Sequence, residues 1–330
     1  MTAVTAHRPP VTAGSPIDGS RARRDAVVRA GAGVALWASL LLVGYWWAAG
    51  GGLTDLTAWA TGLDSVGRLT GLVAAVLLLA QVLLMARVPV LERAFGQDRL
   101  ARTHRLVGFT SFSLMLAHIL LITWGYADGR LRAIWLTFWE LVLDYPGMLL
   151  ASAGTVALVM VVVTSIRKAR AKLRYESWHL LHLYAYLGVG LALPHQLWTG
   201  QEFLTSPAAT VYWWTLWAAA AGAVLVFRVG LPAYRSAVHG LRVVSVVRET
   251  DDVVSVTMRG RHLDRLDALP GQFLNWRFLT GPGWMRAHPY SLSAAPDGQT
   301  LRITVKDLGD GSGALADVEP GPLAALGRAG

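Results

Sequence analysis

Four histidines stand in two apolar, helix-length stretches of the chain, His104 and His118 fourteen residues apart in the first, His182 and His195 thirteen apart in the second. An ionisable side chain inside an apolar span is costly and marks a functional site, and a neutral imidazole is a metal ligand. Fourteen helical residues rise about 21 Å and return to within roughly 40° of the starting face. His104 and His118 therefore share a face near opposite ends of one span. If the second stretch runs in the same direction, His104 lies level with His182 and His118 with His195, and each level offers the two imidazoles of a bis-histidine haem. The thirteen-residue spacing leaves His195 roughly 140° from His182. Pro194, directly before it, supplies a kink that would re-aim the ring. His179 competes with His182, but its spacing to His195 is sixteen and its level matches less well, so it is assigned to the interface or a haem propionate. A single histidine such as His118 would serve equally as a hydrogen bonder between helices; four at nearly equal spacing point to a metal. His7, His239 and His262 lack this context and are expected on a solvated surface.

The elements that must carry these residues belong to a membrane. Of 330 residues, 54% are hydrophobic and only 15% charged, with a positive mean hydropathy, which exceeds soluble globular composition. The net charge of +9 comes from short basic runs beside apolar segments, a pattern that orients helices and implies no nucleic-acid partner. The chain has no cysteine, which excludes disulfides, thiolate metal sites and covalent c-type haem.

Residues 1–25 read as a disordered tail. Six spans follow, near 27–49, 69–86, 104–124, 148–166, 178–198 and 212–229. The first is too long for a signal-peptide core and is read as a retained helix. The links 87–105 and 167–174 each carry five basic residues, whereas 50–67 hold only Asp55 and Asp64 and 199–210 only Glu202 as charged residues. The positive-inside rule places the basic links and both termini in the cytoplasm of a multi-pass cell-membrane protein. Arg130 and Arg132 then lie outside, against the rule. Aromatic residues near span ends, among them Tyr45, Trp46, Trp135, Trp139 and Trp214, read as an interfacial belt.

After 229 the pattern changes to short β-branched runs at 241–247, 253–258 and 301–306, the last alternating Leu301, Ile303 and Val305 with Arg302, Thr304 and Lys306. Turn signals at Pro270-Gly271, Gly281-Pro282-Gly283 and Asp297-Gly298 separate them. A small all-β module on the cytoplasmic side is expected from about Gly240.

The paired histidines and the Trp178-His179-Leu180-Leu181-His182 run resemble the ferric reductase and NADPH oxidase transmembrane family. His288-Pro289-Tyr290-Ser291 resembles that family's flavin motif, and the run from Val305 and Lys306 through Gly309 and Gly311 to Ser312 resembles the strand and glycine turn that hold the FAD pyrophosphate. The resemblance implies an all-α six-helix di-haem cytochrome b bundle over 26–232, ligating two haems b through His104, His118, His182 and His195. It also implies an all-β FAD-binding barrel over 240–330. In such a barrel Tyr290 lies against the flavin, Ser291 hydrogen-bonds around it, and Lys306 with the amides of 309–312 receives the diphosphate, because glycines allow close backbone approach. The expected nicotinamide-binding domain has no counterpart here, so the barrel reads as incomplete and C-terminally truncated.

The function expected is transfer of electrons from a reduced flavin through two haems to an external acceptor, a ferric chelate or dioxygen, in contact with membrane lipid. The alternative is a haem conduit fed in trans by an NAD(P)H-dependent reductase. A transporter or structural membrane protein would need the histidine register and the flavin motif both to be coincidences.

Overall fold

The structure is a computed structural model and describes residues 19–330 apart from 205, 267–270, 272, 279–287, 308–311, 314, 316–320 and 329–330. The helices are α1 (Gly19–Trp47), α2 (Trp59–Met85), α3 (Pro89–Phe95), α4 (Gln97–Tyr126), α5 (Ile134–Asp144), α6 (Met148–Ser165), α7 (Arg167–Arg170), α8 (Tyr175–Thr199), α9 (Gln201–Leu204), α10 (Pro207–Ala223) and α11 (Leu231–His239). The strands are β1 (Arg242–Thr250), β2 (Val253–Arg259), β3 (Phe273–Phe278), β4 (His288–Ser291), β5 (Thr300–Lys306) and β6 (Gly321–Arg328).

Among the described residues, five helical stretches are long and apolar enough to cross a membrane: Gly19–Gly52, Trp59–Met85, Gln97–Tyr126, Met148–Ser165 and Pro207–His239. α8 has the length, at 25 residues, but is not among them, because His179, His182, His195, Pro194 and Gln196 make it less apolar. The residues that make α8 chemically interesting are those that weaken its hydropathy. α1 begins at Gly19, so Arg21, Arg23 and Arg24 lie on its first turns and not in a tail; 1–18 lie outside the described residues. Large apolar side chains such as Val34, Trp37, Leu41 and Val156 are exposed, as lipid-facing residues of a bundle are. α5 has 11 residues, too few to span, and the sequence reading gave it no element.

α2 lies at the centre. Leu72 and Val76 pack with Val43 and Trp47 of α1 and with Phe203 and Trp213, while Leu79 packs with Leu158, Val189 and Ala220 of α6, α8 and α10. The α1–α2 connection turns at Gly51, whose φ is +90°. Ser65 ties it down, accepting from the Trp47 indole and donating to the Gly52 carbonyl at 2.6 Å. α6 and α8 approach through glycines: a Cβ on Gly154 would stand 2.6 Å from the Gly188 carbonyl oxygen. Small residues of this kind let membrane helices bring their backbones together. Ser206 caps α10 by accepting from the Ala209 amide at 3.1 Å, with Pro207 at the first helical position.

A π-helical turn, Val224–Gly230, joins α10 to α11, and Gly240 ends α11 in the left-handed region at φ +48°. His239, expected at a solvated surface, is instead buried, with Nδ1 donating to the Arg261 carbonyl at 3.0 Å. That bond and the Arg261 amide on the His239 carbonyl at 2.7 Å pin the last helix to the turn after β2. A histidine that closes an interface this way carries no apolar-span signal in the sequence.

The strands form one six-stranded sheet in the order β4-β3-β6-β1-β2-β5, antiparallel at every pairing. β5 alternates, with Leu301, Ile303 and Val305 buried against Val254, Val256, Met258 and Trp276. β6 carries no clear alternation in the sequence and so no strand is expected there, yet it sits between β3 and β1 in the sheet.

The turn before β5 depends on Asp297, whose carboxylate accepts from the Thr300 hydroxyl at 2.7 Å and from the Gln299 and Thr300 amides at 2.8 and 2.5 Å. These bonds, the Thr300 hydroxyl first, pull its pKa down to about 2. A depressed carboxylate stabilises the fold above its unfolded value and loses that effect as pH falls through the folded one. Amide hydrogen exchange at Gln299 and Thr300 should be several-fold faster in Asp297→Ala than in wild type at neutral pH, and the difference should vanish as pH falls from about 4 to about 2.

Candidate functional site

The four histidines converge in two pairs. The His104 and His182 ring centroids are 6.0 Å apart with planes at 68°, and those of His118 and His195 are 6.3 Å apart at 48°. α4 and α8 supply one ring each to both levels. His179 is in neither pair: its ring lies 6.4 Å from that of Trp178. His195 faces His118 although thirteen residues separate it from His182. Pro194 lies inside α8, which runs on through it to Thr199. Gly147, at φ +80°, packs on this point, where a Cβ would stand 2.7 Å from the His195 backbone nitrogen.

α2 holds both α4 rings. His118 Nδ1 is 2.8 Å from the Gly67 carbonyl oxygen and His104 Nδ1 is 3.3 Å from that of Gln81. A carbonyl only accepts, so Nδ1 is the protonated nitrogen in each ring. The two acceptors on α2 are fourteen residues apart, as the two histidines on α4 are, in the opposite order. Antiparallel helices in constant register thus meet both rings with the same contact. Glycine makes the room at the second level, since a Cβ on Gly71 would stand 2.5 Å from His118 Nδ1.

On α8, Thr199 Oγ1 lies 2.7 Å from His195 Nδ1 and donates to the His195 carbonyl at 2.8 Å. Ser165 Oγ lies 3.3 Å from His182 Nδ1. All four Nδ1 atoms are engaged, and no Nε2 has a hydrogen-bond partner among the described residues. Fixing one imidazole nitrogen by a hydrogen bond is how a protein presents the other to a metal.

The spacing between rings states which metal group fits. Two imidazoles bound through Nε2 to one metal, at metal–nitrogen distances of about 2 Å, have ring centres about 6 Å apart. A bare ion needs three or four protein ligands, and no cluster of three or more histidine, aspartate or glutamate side chains able to hold one occurs among the described residues. Two imidazoles whose ring centres lie 6.0 or 6.3 Å apart suit a group that brings its own in-plane ligands, as haem does.

A second constellation lies in the β-module. Phe273, His288, Pro289, Tyr290, Ser291, Thr304, Val305, Lys306 and Ser312 line one cavity of about 410 Å³. Seven of the nine residues singled out by the sequence reading are here; Gly309 and Gly311 lie outside the described residues. The pairing of β3 with β4 puts Phe273 opposite Ser291, and Thr304 is the outward residue of β5 between Ile303 and Val305. Neither had a motif to announce it; a strand assignment at 273–278 would have found the first. Burial pushes the Tyr290 phenol up to about 12, so it stays neutral. Its ring stacks on His288 at 5.8 Å and 14°. Lys306 Nζ lies 3.1 Å from Asp252, whose carboxyl the Thr250 hydroxyl and then Lys306 hold below its ordinary value.

Comparison with known proteins agrees with the membrane half. Residues 70–193, which include His104, His118 and His182, match the family described as "Ferric reductase like transmembrane component". Those residues are thus similar to a ferric-reductase-like transmembrane component, in a chain whose five long apolar helices make it a multi-pass membrane protein. It is similar to the protein-methionine-sulfoxide reductase heme-binding subunit MsrQ of Cronobacter sakazakii (strain ATCC BAA-894), at 32% identity over 143 residues. That stretch covers 43% of this chain and 66% of the relative, just under two thirds of its length. A crystal structure of flavohemoglobin from Malassezia yamatoensis with bound FAD and heme covers 81% of this chain and 63% of its own at 14% identity. Its TM-score of 0.27 is too low to bear on fold or function.

Proposed function

We propose that this chain is a membrane oxidoreductase that passes electrons from a reduced flavin through two b-type haems to an acceptor across the membrane. The observation that carries the reading is the meeting of His104 with His182 and of His118 with His195 at metal-bridging separation, each with Nδ1 engaged. α8 counts as a sixth crossing, and both termini lie on the cytoplasmic side. The basic links Arg87–Arg105 and Arg167–Arg174 flank the His104/His182 end, where α10 also leads into the β-module. That pair is thus the inner one by the positive-inside rule.

The haems supply one-electron carriers whose potentials the protein tunes. The chain's own residues hold and orient them. α2 carbonyls fix the α4 imidazoles, hydroxyls of α6 and α8 fix the α8 imidazoles, and glycines 67, 71, 154 and 188 bring the helices close enough to exclude water. The fourteen-residue spacing sets the two levels about 21 Å apart along α4.

The β-module is proposed to close into an FAD-binding barrel. The bridge between Leu292 and Ile303, with the Ser293 amide on the Arg302 carbonyl at 2.9 Å, links β5 to the chain just after β4. The cavity beside it would take the flavin against Tyr290 and Ser291, with Lys306 and Ser312 toward the diphosphate. The external acceptor would be a ferric chelate or dioxygen. A second reading, a haem-bearing conduit fed by a separate NAD(P)H-dependent reductase, is favoured by the relative's description as a heme-binding subunit.

Haem content per chain tests the reading. His118→Ala should retain about half of the wild-type haem, and Gly71→Val, which drives a side chain into the His118 ring, should do the same. His179→Ala should retain all of it; equal loss in His179→Ala would move the ligand assignment. For the flavin, Lys306→Ala should weaken FAD retention by on the order of tenfold, and Asp252→Asn, which releases Lys306, should strengthen it. Unchanged FAD binding in both would remove the diphosphate from this cavity.

A further inference from the structure

Each α8 histidine has a hydroxyl behind its ring, and the two hydroxyls differ in their second partner, a carbonyl for Thr199 and an indole N–H for Ser165. Thr199 Oγ1 gives its one proton to the His195 carbonyl, so its oxygen is left to accept from His195 Nδ1–H. Donating elsewhere polarises the hydroxyl and makes its oxygen a better acceptor. The contact is accordingly short, 2.7 Å. Ser165 is different. Its oxygen is 3.3 Å from His182 Nδ1 and also 3.3 Å from Trp178 Nε1, and an indole N–H can only donate. Two donors therefore converge on one serine oxygen, and each weakens the other's bond.

The competing donor is itself reinforced. The Arg170 guanidinium carbon lies 3.6 Å from the centre of the Trp178 ring, a cation against a π system that draws electron density from the indole and sharpens its N–H. The Trp178 ring also stands 5.1 Å from the His182 ring at a tilt of 31°, so the residue that competes for Ser165 packs against the same ligand.

We propose that Ser165 and Trp178 are positioning residues that set the reduction equilibrium of the haem held by His104 and His182, Ser165 by accepting from His182 Nδ1–H and Trp178 by competing for that oxygen. The inference rests on the haem reading. A stronger bond at Nδ1–H makes the ligating Nε2 more basic, and a more basic ligand favours the oxidised metal. Removing the acceptor and removing the competitor must then act in opposite directions, which packing effects alone would not produce.

Redox titration of the full-length protein in detergent, followed optically for each haem, tests this, with His104→Ala and His118→Ala backgrounds identifying the two signals. Ser165→Ala should shift the His104/His182 haem toward its reduced form by on the order of tenfold, about 59 mV for one electron. Trp178→Phe, which keeps the ring and loses the N–H, should shift the same haem the other way. Ser165→Thr should titrate as wild type, and Thr199→Ala should move only the other haem. Opposite shifts in Ser165→Ala and Trp178→Phe establish the proposal, and if Ser165→Ala fails to retain haem the sign of the Trp178→Phe shift decides it. Haem present in wild type but unmoved by either substitution, or moved the same way by both, overturns the proposal alone; wild-type protein without haem overturns the underlying reading as well.

Discussion

The constraint on which the rest depends is the constant register of α2 against α4. Two carbonyls on α2, of Gly67 and Gln81, meet two imidazoles on α4 at the same fourteen-residue interval in the opposite order. One helix thereby fixes which nitrogen of each ring is protonated and so which nitrogen faces inward. A carbonyl oxygen has two lone pairs, so it can accept from histidine while remaining in its own helix ladder. The cost is space, which is met at the second level by a residue with no side chain, Gly71. A larger residue there would put an atom in the imidazole ring before any cofactor was considered.

α8 then has to bring a second ring to each level, and its sequence is built around that duty. Gly188 lets it approach α6, Pro194 and the left-handed Gly147 shape its far end, and Thr199 and Ser165 hold its two rings. The histidines, Pro194 and Gln196 that α8 itself carries leave it too weakly apolar to announce itself as a crossing by hydropathy. The helix most needed for the chemistry is the one whose composition hides it.

What the sequence made legible follows from periodicity. Spacings of fourteen and thirteen on apolar stretches were enough to pair His104 with His182 and His118 with His195, and strict alternation in 301–306 was enough to place β5. What stayed hidden has no period. The acceptor carbonyls on α2 belong to the backbone and leave no residue signature, and the room beside His118 shows only as one glycine among 34. β6 carries no alternation by which a sequence would reveal it, and Phe273 reaches the cavity only through its pairing opposite Ser291. His239 looked like a surface residue because its partner, the Arg261 carbonyl, is again backbone.

The β-module and the bundle are linked by a continuous rod, α10 through α11, whose end is pinned by the exchange of hydrogen bonds between His239 and Arg261. Arg228, in the turn between the two helices, bonds the Met85 carbonyl at 2.9 Å and the Tyr186 hydroxyl at 3.2 Å, tying that rod to the end of α2 and to the middle of α8, one turn past His182. A route for electrons from the module would begin at this end. The central claim is that each histidine pair holds a haem, and the reduced-minus-oxidised optical spectrum of the purified wild-type chain, expressed with adequate haem, tests it most directly. The account predicts b-type bands from low-spin, bis-histidine haem at two per chain; their absence would contradict it.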